Sequence, residues 1–312
     1  MEKLYDIVTA LDICADIIVT GRDVRPEFGQ KEKNVGDYFL EMGGSTCIFA
    51  CQAAKLGLKT IGVGTAGKDV FGELVLKTLT DSGVDTSCVE TDSSKKTAVS
   101  IHLSEGEDRA ILTYPGTIDV EGLGKRILPI VEKARHIHIG SYYLMEKLMP
   151  DYPKIIQCAK RAGTTISLDT NWDPQEKWDR GLEEILPYVD VFFPNINEVT
   201  GISGESDCDK AAGRLSRDVG ILVLKKGSEG AALYEKGKAV MVQSPIKVDV
   251  IDAVGAGDSF DAGFLYGYLN GLDRHKCLAV ANLCGAWNTL RVGGTAGQVR
   301  IDELDHLLKN TF

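Results

Sequence analysis

Short, nearly continuous apolar stretches recur along the chain, and segments with a helical pattern separate them. Such stretches are typical of strands that are buried on both faces of a parallel sheet. The intervening segments carry helix-end signals: Ser45 and Asp69 can each cap a helix, and Pro153 suits a first turn. The alternation predicts an α/β fold with a mostly parallel sheet. The predicted strands are residues 5–10, 60–63, 136–139, 165–168, 189–193 and 221–224.

Two segments interrupt this alternation within what we expect to be a single catalytic domain, residues 1–312. Residues 16–42 are polar and contain glycines and a proline, whereas residues 97–115 alternate apolar and polar positions as a β-hairpin does. We expect the two segments to form a small β-lid over one end of the sheet. An exposed small sheet tends to pair, which predicts a homodimer that forms through the lid.

The composition excludes several classes of partner. A net charge of −10 without a basic stripe argues against binding to nucleic acid. The N-terminus has an acidic residue where a signal peptide needs a basic one, and no apolar run has membrane-spanning length. Eight scattered cysteines form no CxxC pair, so we interpret them as reduced thiols. These features predict a cytoplasmic protein that contacts no membrane.

The segment from Asp252 to Phe264, DAVGAGDSFDAGF, is a glycine-rich turn that opens into a helix. The amides of Gly255, Ala256 and Gly257 would point outward at a helix N-terminus, where an anion such as a phosphoryl group is favoured. Asp258 follows directly. Its carboxylate could accept a proton from an attacking hydroxyl, or it could cap the helix, and the spacing leaves both possibilities open.

This segment resembles the C-terminal signature of the PfkB family of sugar kinases, which includes ribokinase, fructokinase and adenosine kinase, with Ala253 in place of a threonine. The resemblance implies a ribokinase-like three-layer α/β/α sandwich that uses ATP and Mg²⁺. It also implies that Asp258 is the catalytic base and that Gly255, Ala256 and Gly257 form the anion hole. Asp252 and the Val254 carbonyl lie where many members bind a monovalent cation, for example K⁺.

Further matches to the family occur in the same order along the chain. Asn195 and Glu198 resemble an element that organises Mg²⁺ and the ATP phosphates through water, although the residues alone favour a strand end that runs into a capped helix. Lys225 stands where the family frequently has a threonine, just before a turn beneath the nucleotide. The nucleotide-binding residues implied by the resemblance are Asn195, Lys225, Gly227, Gly230 and Asn282.

The substrate end resembles the first family signature. There a di-glycine lets the backbone approach the sugar, and Ile48 replaces the usual asparagine. A carboxylate can accept hydrogen bonds from two adjacent hydroxyls, and Asp16 matches the family's substrate-binding aspartate. The substrate-binding residues implied by the resemblance are Asp12, Asp16, Gly43 and Gly44.

Asp173 replaces an arginine that would pair with the carboxylate of a sugar acid, so we expect a small neutral sugar or polyol as substrate. Two other functions fit parts of the sequence. The departures from the family pattern would suit a catalytically silent sugar-binding or regulatory protein on the same fold. Residues 62–67 satisfy the dinucleotide pattern GxGxxG, as in an NAD-dependent oxidoreductase, but no acid ends a second strand at the required distance.

Overall fold

The computed structural model describes residues 2–105 and 108–311, which fold into two β-sheets and the helices that pack against them. The strands are β1 (Tyr5–Ala10), β2 (Cys14–Thr20), β3 (Asp37–Gly43), β4 (Thr60–Gly67), β5 (Asp85–Asp92), β6 (Ala98–Glu105), β7 (Asp108–Tyr114), β8 (Ala134–Ile139), β9 (Thr165–Leu168), β10 (Val191–Phe192), β11 (Ile221–Lys225), β12 (Ala231–Glu235) and β13 (Lys238–Gln243). The α-helices are α1 (Ser45–Lys55), α2 (Val70–Asp81), α3 (Leu123–Val131), α4 (Tyr152–Ala162), α5 (Leu182–Ile185), α6 (Ile196–Ser203), α7 (Cys208–Leu215), α8 (Ala256–Leu269), α9 (Arg274–Asn288) and α10 (Ile301–Thr311).

The larger sheet has nine strands in the order β13-β12-β11-β10-β9-β8-β1-β4-β5. All neighbours from β11 to β5 pair in parallel, and only the hairpin of β12 and β13 at one edge is antiparallel. Helices cover both faces, because crossovers between parallel strands must pass over the sheet. The predicted α/β fold with a mostly parallel sheet is confirmed.

Two apolar clusters fill the space between this sheet and its helices. On one face, Ile127 of α3 and Ile155 of α4 are fully or almost fully buried in the first cluster. On the other face, Phe49 of α1 and Phe264 of α8 are buried in the second. The sheet is therefore the middle of three layers, as the resemblance implied.

Local signals explain where most helices begin and end. The Asp69 side chain accepts a hydrogen bond from the amide of Gly72, so it caps α2 as predicted. Gly163 takes the left-handed conformation and ends α4. The prediction for Ser45 was wrong: Gly44, with φ of 81°, is the N-cap of α1, and Ser45 is its first helical residue. The Ser45 side chain is engaged elsewhere, as described below.

The second sheet has four strands in the order β3-β2-β6-β7, and the two interrupting segments, 16–42 and 97–115, supply most of it. Residues 106–107, at the turn of the predicted hairpin, lie outside the described part of the chain. Asp16 pairs across the sheet with Glu41 and with Ser100, so these side chains share one face. The opposite face carries exposed apolar side chains: Tyr38, Leu40, Ile101, Leu112 and Tyr114.

The carboxyl ends of the parallel strands meet at one edge of the larger sheet, which is where ligands bind in open α/β folds. Polar residues follow five adjacent strands at this edge. The GxGxxG pattern of residues 62–67 instead lies inside strand β4, so it cannot form the turn that a dinucleotide needs. Among the described helices, none is long and apolar enough to cross a bilayer. The polar residues at the edge are Asp12, Ser141, Asp169, Asn195 and Lys225.

Candidate active site

The glycine-rich turn opens helix α8 at the edge of the larger sheet. Gly255 takes the left-handed conformation, with φ of 73°, and a Cβ there would lie 2.7 Å from Ile48 and 2.9 Å from Gly294, so only glycine fits. The first amides of a helix have no partner within it. The amide of Ala256, predicted to line the anion hole, donates to the Ala253 carbonyl at 3.3 Å. The amides of Gly257 and the next residue are therefore the more available donors.

Asp258 lies in the first turn of α8, where its partly buried carboxylate accepts a hydrogen bond from the Ser45 hydroxyl. Burial, and then the negative charge of Asp169, raise the pKa of Asp258 to about 7, against the opposing effect of Ser45. A carboxylate that changes its protonation state near neutral pH can accept a proton during a reaction and release it afterwards. The geometry thus suits the predicted base.

Lys225, at the end of β11, is a buried cation beside this turn. Its Nζ lies 2.7 Å from Asp169 Oδ2 and 3.3 Å from Asp261 Oδ2, and 3.5 Å from the position that a Cβ would take on Gly257. Burial lowers the pKa of Lys225, but the carboxylates outweigh it and raise the pKa overall. Burial raises the pKa of Asp169, and Lys225 outweighs this and holds it at about 2. The turn therefore has a permanent positive charge next to it.

Asp261 completes this cluster from one helical turn beyond Asp258. It is fully buried, and burial raises its pKa well above the usual range. Asp169 and Asp261 both contact the one cation of the cluster, Lys225. Neither aspartate was predicted as a site residue, although Asp169 follows a strand and Asp261 shares a helix face with the predicted base.

Asn195 and Glu198 form a reciprocal cap at the start of α6. The Asn195 side chain accepts from the Glu198 amide at 3.0 Å, while the Glu198 carboxylate accepts from the Asn195 amide at 2.9 Å and from its Nδ2 at 2.6 Å. Burial, and then Asp169, raise the pKa of Glu198 to about 8. Both carboxylate oxygens already accept hydrogen bonds, which fits a group that holds the waters of a metal ion better than one that binds the ion directly.

A cavity of about 470 Å³ runs from the glycine-rich turn to helix α9. Its walls include Phe260, Val250 and other apolar side chains, which suit the face of a purine base. Asn282 is almost fully buried, and its Nδ2 has no hydrogen-bond partner among the described residues. Asn195 lies outside this lining. The predicted nucleotide-binding residues that line the cavity are Lys225, Gly227, Gly230 and Asn282.

Asp252 and Val254 hold the turn from its other side. The Asp252 carboxylate accepts from the amides of Val254 at 3.0 Å and Gly293 at 2.9 Å. The Val254 carbonyl accepts from Asn288 Nδ2 at 2.7 Å, and the buried Asn288 Oδ1 has no hydrogen-bond partner within the described residues. No group of three or more His, Cys, Asp or Glu side chains in that part of the chain could hold a metal ion. A cation here would depend on main-chain and amide oxygens.

Asp12 anchors the start of helix α1. Its Oδ1 accepts from the Thr46 amide at 3.0 Å and the Thr46 hydroxyl at 2.6 Å, and its Oδ2 accepts from the Ser45 amide at 2.9 Å and the Ser141 hydroxyl at 2.5 Å. A carboxylate has about four acceptor positions. The predicted contact of Asp12 with substrate is corrected accordingly, because no acceptor position is left for a substrate hydroxyl.

Asp16 has freer oxygens and lies on the inner face of the smaller sheet. His102 Nε2 lies 3.3 Å from Asp16 Oδ2. A Cβ on Gly43 would overlap the Asp16 carboxylate, so the first glycine of the pair is required by this carboxylate. Glu41 lies opposite Asp16, and burial, together with the charge of Asp16, raises the pKa of Glu41. The substrate end is therefore acidic.

Two departures from the family pattern have structural explanations. Asp173 is fully buried and accepts hydrogen bonds from Arg180 at 3.1 Å and from the amides of Gln175, Lys177 and Trp178. It thus holds its own loop together. No arginine stands at this position to pair with a substrate carboxylate, so the preference for a neutral substrate stays a prediction. Ile48 is buried and packs against Gly255 and Gly294 beneath the anion-binding turn.

Comparisons with known proteins agree with this geometry. The chain is 30% identical over 253 residues to an ATP-dependent ribose-1-phosphate kinase of Halopiger xanaduensis, an alignment that covers 80% of this chain and 81% of the relative. Arabidopsis thaliana ribokinase, solved with ribose and ATP, superposes with a TM-score of 0.84 at 23% identity and covers 99% of both chains. A second structure with this fold, from Escherichia coli, contains ATP and Mg²⁺; its TM-score is 0.84 at 24% identity, and 98% of this chain and 100% of that one are covered.

The sequence model of the pfkB family carbohydrate kinases matches residues 8–300. That match spans both signatures, from the first strand to the loop after helix α9. The fold agrees over nearly the whole length with solved ribokinase-like structures. The chain therefore belongs to the pfkB family of carbohydrate kinases.

Proposed function

We propose that this chain transfers the γ-phosphoryl group of ATP to a hydroxyl of a small neutral sugar or polyol. The observation that supports this most is the position of Asp258. A carboxylate with a pKa of about 7 lies in the opening turn of a helix, beside a buried lysine and at one end of a cavity of about 470 Å³. Phosphoryl transfer needs these three elements: a proton acceptor, anion-binding donors and a nucleotide site.

In this mechanism the base of ATP occupies the apolar cavity near Asn282, whose Nδ2 has no partner in the described part of the chain and would donate to the base. ATP supplies the phosphoryl group, and Mg²⁺, whose waters Glu198 and Asn195 would hold, neutralises charge on the phosphates. Asp258 accepts the proton of the substrate hydroxyl as that oxygen attacks. The amides of Gly257 and Asp258, with Lys225 beside them, stabilise the charge that develops on the transferred group.

The preference for a neutral substrate now rests on the acidic substrate end. Asp16 and Glu41 face each other on one side of the smaller sheet, and neither forms an ion pair with Lys or Arg among the described residues. Carboxylates accept hydrogen bonds from hydroxyls and repel a substrate carboxylate or phosphate. Gly43 leaves room for the Asp16 carboxylate, which would accept hydrogen bonds from such a hydroxyl-rich substrate.

A monovalent cation such as K⁺ remains part of the proposal. Asn288 donates from its Nδ2 to the Val254 carbonyl, and its buried Oδ1, which has no partner among the described residues, is an acceptor that a cation would satisfy. We expect K⁺ at physiological concentration to raise turnover severalfold over a large organic cation. Equal rates in both salts would remove the cation from the proposal.

We also propose that the smaller sheet is a lid over the sugar and the contact surface of a homodimer. Its outer face carries Tyr38, Leu112 and Tyr114, which are 69%, 62% and 53% exposed, so a continuous apolar surface faces solvent. Light scattering of the wild type and of Leu112→Glu tests this. A dimer that the variant converts to a monomer supports the contact, and a monomeric wild type refutes it.

The function is tested by ATP consumption, with Mg²⁺, across neutral ketohexoses, pentoses, inositols, nucleosides and sugar acids. Wild type and Asp258→Asn are compared for every compound. Turnover of one neutral sugar or polyol that the variant lacks supports the proposal. Turnover of only a sugar acid or sugar phosphate would refute the substrate class, and normal rates in the variant would refute the assigned base. A protein that binds ATP but turns over nothing would be the silent binder on the same fold.

A further inference from the structure

We propose that Ser45 is a positioning residue for proton transfer, because its hydroxyl holds Oδ1 of Asp258 and leaves Oδ2 for the substrate hydroxyl. This inference rests on the proposed function, in which Asp258 is the base. The contact joins the first residue of helix α1 to the first turn of helix α8, 213 positions apart in the sequence. A carboxylate with one oxygen held in place loses rotational freedom, which favours a productive geometry.

The Ser45 hydroxyl is mounted on a rigid support. Its backbone amide donates to Asp12 Oδ2 at 2.9 Å, and the same carboxylate is held by Thr46 and by Ser141. Asp12 is 2% exposed, so this network is shielded from water. The buried Asp12 carboxylate therefore fixes the position of Ser45, and Ser45 in turn fixes the carboxylate of Asp258.

The position of Ser45 also couples the sugar to the base. Gly44, one of the two glycines proposed to approach the sugar, immediately precedes it and caps the same helix. A Cβ on Gly44 would overlap the Asp12 carbonyl, so the backbone entering Ser45 is fixed. A shift of the sugar-binding loop would thus move the hydroxyl that orients the base.

The contact also sets the charge state of Asp258. Burial, Asp169 and Asp12 raise its pKa, whereas Ser45 and Lys225 lower it, and the outcome is about 7. Loss of the Ser45 hydroxyl leaves the raising effects less opposed, so the carboxylate would ionise only at higher pH. The charged and titratable side chains that face Asp258 are Asp12, Asp169, Glu198, Lys225 and Asp261.

The test is the pH profile of kcat/KM for Ser45→Ala. A hydrogen bond to a charged group corresponds to a shift of about one pH unit, so we expect the acid limb to move up by about that much. At a pH one unit below the wild-type limb, kcat/KM of Ser45→Ala would be about tenfold lower than that of the wild type, and at high pH the two would be equal. Ser45→Thr, which keeps a hydroxyl, should restore the wild-type limb. An unmoved limb in Ser45→Ala would overturn the inference.

Thr46→Val is the matched control, because it removes the neighbouring hydroxyl, which donates to Asp12 and not to Asp258. It should lower stability without moving the limb; a limb that moved equally would refute a specific role for Ser45. A ¹³C NMR titration of the Asp258 carboxyl, assigned by its loss in Asp258→Asn, measures the same shift without turnover. If the titration of Asp258 is shifted in Ser45→Ala but the wild type turns nothing over, the inference about Ser45 stands and the proposed kinase activity fails. If the wild type turns over a sugar but the titration is unshifted in Ser45→Ala, the kinase activity stands and the inference fails.

Discussion

Lys225→Met should destabilise the protein strongly, because it removes the cation that neutralises a buried carboxylate. The Asp169 side chain is 4% exposed and lies 2.7 Å from Lys225 Nζ. Breaking a buried ion pair by deleting one partner costs about 3–5 kcal/mol. For a chain of this size, with a shift near 2 °C for each kcal/mol, the melting temperature should fall by about 6–10 °C at pH 8.

The sign of the pH dependence follows from Asp169. In the wild type the pKa of Asp169 is about 2, below its value of about 3.9 in the unfolded chain. The stabilisation by the ion pair is therefore fully present above about pH 3.9 and is lost as the pH falls through 2. In the variant, burial acts without Lys225 and raises the pKa of Asp169 above its usual range. The deficit in unfolding free energy should therefore be largest at pH 8 and shrink towards pH 5.

Thermal and urea unfolding at pH 8, 6.5 and 5 measure this deficit. Lys226→Met is the matched control, since Lys226 pairs at 2.8 Å with Asp209, whose side chain is 61% exposed. An exposed pair contributes about 1 kcal/mol or less, so the control should lose little at any pH. Equal losses in the two variants, or a Lys225→Met deficit that is unchanged between pH 8 and 5, would refute the buried-charge argument.

Three further predictions concern the site. The kcat/KM of the wild type should rise as pH passes about 7, and Asp258→Asn should lower kcat about 10²- to 10⁴-fold while isothermal titration still detects ATP binding; a flat profile contradicts the base. Asp12→Ala should lower the unfolding free energy by about 3–5 kcal/mol, measured by urea unfolding, because it leaves four donors unpaired, whereas Asp16→Ala should mainly raise KM for the sugar, measured by steady-state kinetics. A raised KM without loss of stability in Asp12→Ala, together with lost stability in Asp16→Ala, would exclude the two roles. Asn282→Leu should raise KM for ATP without loss of melting temperature, because Asn282 Nδ2 has no partner to lose among the residues that the structure describes. An unchanged KM would remove Asn282 from the nucleotide site.

Local patterns predicted much of the fold. Strands β1 and β9 have the predicted bounds, and α2 begins after its predicted cap, because each depends on residues close together in sequence. The glycine-rich turn was also visible, since its conformation and its helix lie within one short segment. Strand β10 is shorter than predicted and comprises only Val191 and Phe192.

The errors concern residues whose partners are distant in sequence. Ser45 was assigned as a cap, but its hydroxyl binds Asp258; Asp12 was assigned to substrate, but its oxygens serve Thr46 and Ser141. Asp173 was treated as facing the substrate, although Arg180 and three amides surround it. A single sequence does not reveal which of several acidic residues will be saturated by the protein, because that depends on tertiary packing.

The contact between Gly43 and Asp16 constrains how the substrate end could change. Because a Cβ at position 43 would occupy the space of the Asp16 carboxylate, the two positions form one steric unit. Any side chain at 43 would have to displace Asp16 or follow its replacement by a smaller residue. A side chain at position 43 therefore cannot be considered apart from the residue at position 16, and a library of this end of the protein should vary the two positions together.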